Sequence, residues 1–147
     1  MQLLSPAFQD NEMIPEKYTC DGENTNPPLL IKDVPKEAKS LALIMHDPDA
    51  PNIDWVHWVV FNIDPAITEI AENSIPENAI VGLNTRNNNS YGGPCPPSGT
   101  HRYIFEFYAL NLKLDLDQTA TEEDVTKAMD DHIIEQSELI GLYQRKT

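Results

Sequence analysis

The chain has 147 residues, the length of one ordinary domain, and can bury a sizeable core without staples. Hydrophobic residues make up 40% and charged residues 23%, which excludes disorder and low complexity. Ten basic against 24 acidic side chains give a formal net charge of −14, which argues against nucleic acid and against docking on anionic membranes through a basic face. Any anion must therefore enter a local pocket.

The opening residues, Met1 to Pro6, show neither a basic segment nor an apolar leader. The expectation is a cytoplasmic protein. With two cysteines only, Cys20 and Cys95, and no export signal, reduced thiols are expected in preference to a bridge. Twelve prolines, about 8% against a usual 5%, punctuate short apolar runs. That pattern predicts a mainly all-β sandwich with few helices, as a single domain over 1–147.

Leu29–Lys32 reads as a short strand. Ser40–Asp47 reads as a longer one, with Leu41, Leu43, Met45 and Asp47 in phase and Ala42 and Ile44 on the other face. In Trp55–Ile63, strict alternation puts Trp55, His57, Val59 and Phe61 on one face and Val56, Trp58 and Val60 on the other. Apolar residues on both faces are expected of a central strand covered on both sides. Asn84–Thr100 is rich in Asn, Gly and Pro, and a loop of this length inside a compact domain is usually functional. Tyr103–Leu110 is a further strand, with Tyr103, Phe105, Phe107 and Ala109 in phase. One helix is predicted: Thr121 caps it, three acidic residues follow, and Val125, Ala128, Met129, His132 and Ile133 repeat at helical spacing. A short last strand is expected at Leu139–Tyr143. The acidic residues from Asp115 to Asp124 read as a solvated face.

Polar groups stand where strand phase predicts burial: Asp47 at a strand end, His57 inside a strand, and His101 two residues before Tyr103. A buried polar group without a partner costs roughly 1–3 kcal/mol, so three on neighbouring strands are best satisfied around a shared pocket. Asp47 would repel a phosphate, and its expected part is to orient a histidine and favour the imidazolium. Trp55 and Trp58 read as core, Arg102 as a loop brace.

Three motifs occur in order: Asp47–Pro51 (DPDAP), Trp55–Trp58 (WVHW) and Gly93–Tyr103 (GPCPPSGTHRY). Together with Tyr18–Gly22, Pro27-Pro28-Leu29 and the ending Leu139–Arg145, they resemble the phosphatidylethanolamine-binding protein family, also called the Raf kinase inhibitor protein family, in its short bacterial and archaeal branch. The resemblance implies an antiparallel Greek-key sandwich with a large central sheet, a smaller second sheet and one or two short helices. It implies a small anion pocket lined by Asp47, His57, Pro97, His101 and Tyr103, with Asp49, Trp55, Cys95 and Gly99 in or behind its wall. It favours a cis Ala50–Pro51 bond.

The implied function is binding of a small anion, phosphate or a phosphoethanolamine-like headgroup, with no cofactor and no catalysis, and with a kinase or protease as a possible protein partner. A homodimer is compatible with it. Two enzymatic alternatives stay open at this level: a metal site made of Asp47, His57 and His101, and a His57 base serving a Ser98 or Cys95 nucleophile. So does an interaction module with a vestigial pocket.

Overall fold

A computed structural model describes residues 1–145. In chain order the elements are β1 (Gln2–Leu4), β2 (Glu12–Met13), a 3-10 turn at Glu16–Tyr18, β3 (Leu29–Lys32), β4 (Ser40–Asp47), β5 (Trp55–Ile63), β6 (Glu69–Ile70), β7 (Ile80–Val81), β8 (His101–Leu110), α1 (Glu122–Met129) and β9 (Ile133–Tyr143). A six-stranded sheet runs β2-β9-β8-β4-β5-β7, and a three-stranded sheet runs β1-β3-β6. All pairings are antiparallel except the short parallel β2–β9 ladder. The strand order, in which β4 lies between β5 and β8, is compatible with Greek-key connections.

Alternation along β4 explains the layers. Leu41, Leu43 and Met45 face the small sheet, where Leu3, Leu29, Ile31 and Ile70 complete a core with Trp58, Val60, Phe105, Phe107 and Leu139. Ala42 and Ile44 face the opposite way, into a second cluster with Val59, Phe61 and Tyr108, closed by Val125 and Met129 of α1. The central strands are therefore covered on both sides, as their apolar runs require.

Helix α1 starts where expected. The Thr121 hydroxyl accepts from the Asp124 amide at 3.3 Å, and Asp124 accepts from the Thr121 amide at 3.0 Å. It stops earlier than its periodicity predicts. Asp131 takes φ 65°, and Ile133 opens an 11-residue strand paired with β8 from Leu110 onward. His132 and Ile133 are thus not helical, and the last strand is far longer than Leu139–Tyr143. Ten residues of β8 supply a ladder for backbone groups that the helix periodicity alone would have kept local.

Two further expectations are corrected. Cys20 and Cys95 form a disulfide across 75 residues of chain. The Cys20 amide donates to the Pro94 carbonyl at 3.1 Å, so the two segments are already held side by side, with Cα atoms 5.4 Å apart, within the usual bridging range. Bridges of this kind occur in oxidising compartments and also inside hyperthermophiles, so the premise for reduced thiols falls. The Ala50–Pro51 bond is trans. Among the described residues no helix is long and apolar enough to cross a membrane.

Candidate functional site

The site lies where β4, β5 and β8 end beside the loops that follow them. Its geometry begins with an irregularity in β5. Met45 pairs with Trp58 and His46 with Val56, so His57 is the extra residue of a β-bulge. The bulge breaks the strict alternation read from the sequence. Val59 and Phe61 join the helix-side cluster, whereas the His57 ring packs edge-on against Tyr103, centroids 5.3 Å apart. Without the extra residue, His57 would share the face of Val59 and Phe61, away from Asp47.

His101 and Tyr103 come from the start of β8 and are in phase with Phe105, as expected. The His101 ring stacks on Tyr103 at 6.4 Å, so the two imidazoles flank one phenol. Asp47, at the end of β4, accepts from His101 Nδ1 at 2.6 Å through one oxygen and from the Asp49 amide at 2.8 Å through the other. The carboxylate thus orients His101, as the sequence reading required of it. His57 Nδ1 lies 2.6 Å from the Gly92 carbonyl, which can only accept, so this nitrogen carries the hydrogen. Each ring spends Nδ1 on a fixed partner, and neither Nε2 has a hydrogen-bond partner among the described residues. The Tyr103 hydroxyl is buried beside Asp47 and the Cys95 backbone, with no well-aligned hydrogen bond to either.

These groups line one cavity of about 460 Å³. Pro97, Trp55 and Cys95 line it too. Asp49 and Gly99 do not: Asp49 stands behind the wall, gripped by Arg102 Nε at 3.0 Å and Nη2 at 2.9 Å, and Gly99 is an exposed turn residue with φ +69°. Arg102 is the loop brace expected of it, and holds the Asp49 carboxyl at about 2. Trp58 is wholly buried in the core against Tyr91, whereas Trp55 is half-buried at the cavity.

The loop from Asn84 to Gly93 supplies residues that were not singled out individually: Asn84, Arg86, Asn88, Ser90, Tyr91, Gly92 and Gly93 all line the cavity, with Asn24 and Cys20 from an earlier turn. The length and composition of Asn84–Thr100 were the available signal.

Electrostatics separate the histidines. Burial pushes the His57 imidazole down, against the pull of the Gly92 carbonyl and Asp47, so it is neutral at pH 7. His46, on the other side of the sheet, is the reverse case. Burial opposes its charge, but Glu106 and Asp54 overcome it and raise its pKa to about 9, with Asp54 Oδ1 2.8 Å from Nδ1. A histidine raised on folding contributes stability that is complete below its unfolded value near 6.5 and is lost as pH climbs through 9. Wild-type unfolding free energy is therefore expected to fall by roughly 1–3 kcal/mol between pH 6 and pH 10 through this group. In His46→Gln that share should vanish; denaturant titrations at both pH values check it, and identical pH profiles would refute it.

A two-sheet β-protein of this strand order has the architecture of a defined class. A family model for phosphatidylethanolamine-binding protein matches residues 4–144, and the chain belongs to that family. It is 51% identical to a UPF0098 protein of Methanothermobacter thermautotrophicus and 47% identical to one of Chlamydia pneumoniae, each match covering 99% of both chains. Among solved structures, a phosphatidylethanolamine-binding protein homologue from Chlamydia trachomatis superimposes with a TM-score of 0.95 at 44% identity, over 99% of this chain and 97% of that one. YbcL of E. coli, called a member of the mammalian family, gives 0.92 at 30% identity over 99% and 98%.

Proposed function

We propose that the chain is a binding protein for a small anion, a phosphate or phosphorylated headgroup, held at the floor of this cavity. The observation that carries the reading is the gathering of His57 and His101, whose Nε2 atoms have no hydrogen-bond partner among the described residues, and of the poorly bonded Tyr103 hydroxyl around a space of ligand size. A buried hydroxyl without a well-aligned hydrogen bond is costly, and an oxyanion in line with it would relieve that cost. The family's name points to the same chemistry. Affinity should be in the millimolar range, about −4 kcal/mol, because few donors oppose one nearby carboxylate.

Catalysis is the weaker reading. The Cys95 sulfur is committed to its bridge, and Ser98 does not line the cavity, which removes both nucleophiles offered to His57. Asp47 and His101 are hydrogen-bonded to each other, an arrangement of partners and not of co-ligands. Modulation of a kinase or protease would be a consequence of ligand occupancy at this mouth; nothing on the surface selects one partner.

The test is an amide NMR titration with glycerophosphoethanolamine, a diester whose single charge does not change near neutrality. An anion favours protonated His57, which is held below its ordinary value when the cavity is empty. Affinity is therefore expected to rise about three- to tenfold from pH 8 to pH 5.5, with the increase falling below pH 6.5. Shifts should centre on residues 57, 92 and 101. Their absence at high ligand concentration would sink the proposal.

A further inference from the structure

The mouth of the same cavity carries charge information that the floor does not. Of the three arginines in the sequence, Arg102 is paired with Asp49 and Arg145 with Asp21. The Arg86 guanidinium makes no ion pair or hydrogen bond among the described residues, although the chain has 24 acidic side chains to offer. It is held at the cavity by a loop organised around buried Asn84. That side chain accepts from the Arg86 amide at 3.0 Å and from the Asn88 amide at 3.1 Å, and donates to the Ser90 carbonyl at 3.0 Å. The loop backbone is thus fixed while the guanidinium stays free, and its positive charge is felt at His57.

The opposite sign enters the cavity lining only at its floor. Among the described residues Asp47 is the only carboxylate lining it, and it belongs to the floor, where it accepts from His101 and from the Asp49 amide. An ammonium group entering with a phosphate would meet the Arg86 cation at the mouth, with the cavity's one carboxylate down at the floor beside the phosphate. A second anionic group would meet the free guanidinium, whose fork suits a carboxylate or phosphate.

We infer that Arg86 is a specificity-determining residue: the cavity selects a ligand with two anionic groups, one phosphoryl group at the histidine floor and a second carboxylate or phosphate at the mouth, over an aminoalkyl phosphate. This rests on the anion-binding reading above, and deepens it by naming the class of ligand.

Three probes separate the two: methyl phosphate, phosphoethanolamine and phosphoglycolate, titrated by NMR at constant pH and ionic strength. Phosphoglycolate is expected to bind about three- to tenfold more tightly than phosphoethanolamine. Arg86→Gln, an exposed substitution that leaves the backbone hydrogen bonds of the loop in place, should abolish that preference and weaken methyl phosphate several-fold less than phosphoglycolate. Arg86→Lys should restore part of it. Equal affinity for the two bifunctional probes, or a parallel loss for all three in Arg86→Gln, would overturn this inference and leave the floor site standing. Failure of methyl phosphate to bind would overturn both.

Discussion

Replacing Cys20 and Cys95 together by serine is expected to lower the unfolding free energy by about 2–4 kcal/mol, the range for a disulfide closing a long loop. The bridge spans 75 residues and joins two segments outside the regular strands, the turn after the 3-10 helix and the proline-rich run before β8. Two hydrogen bonds, from the Cys20 amide to the Pro94 carbonyl and from the Gly93 amide to Asn24 Oδ1, also tie them. The cores between and behind the sheets do not include either cysteine, so the variant should still fold cooperatively, with a lower midpoint and an unchanged sheet signature. Cys95 and Pro97 both line the cavity, so the loosened run should also weaken phosphate binding several-fold. Urea titration of both forms measures the first effect, and NMR titration the second. A stability change under about 0.5 kcal/mol would show that the loop is fixed by its other contacts.

Gly93→Ala is expected to cost about 2–3 kcal/mol and to displace His57, a larger disturbance of the site than truncating most of its walls. A Cβ at this position would lie 2.5 Å from the Tyr18 carbonyl oxygen and 3.0 Å from the Thr19 Cα, both main-chain atoms that cannot turn aside. The Gly93 amide also donates to Asn24 Oδ1 at 2.8 Å, so the segment cannot back away without breaking that bond. Its neighbour Gly92 is bonded twice to His57, donating to the His57 carbonyl at 2.9 Å and accepting from Nδ1 at 2.6 Å. Pushing residue 93 outward therefore pulls on the acceptor that fixes the imidazole. Thermal unfolding reads the stability loss. The His57 ring resonances in a pH titration read the displacement: the Gly92 carbonyl pulls the imidazole up against burial, so a freed Nδ1 should push the titration further below its ordinary value. Wild-type stability and an unmoved His57 titration would contradict the argument.

Much of this architecture is written in short-range pattern. Alternation in β4 and β8, with bulky side chains on both faces of β5, is enough to predict central strands buried on both sides. It also places Asp47 and His101 correctly, since both continue an unbroken phase beside Met45 and Tyr103. His57 is different. Its assignment to the face of Val59 and Phe61 follows strict alternation, and the bulge opposite Met45 and His46 defeats it. A bulge is set by how two strands register against each other, which no window along one strand contains. The ending of α1 failed for a related reason. Ile133, Ser137 and Glu135 are weakly patterned because this half of β9 is largely exposed, so helical spacing outweighed a strand signal that exists only in pairing with β8.

By itself the chain determined the things that depend on nearest neighbours and on ordered motifs: a mainly β domain, a capped helix start at Thr121, the family, and the polar residues at buried phases. The partner of each polar group was decided only in three dimensions. Asp47 holds His101, Gly92 holds His57, Cys20 meets Cys95, and Arg86 has no counter-ion among the described residues, because hydrogen bonds and ion pairs are chosen by distance in space, and residues tens of positions apart acquire that distance only when the two sheets close on each other.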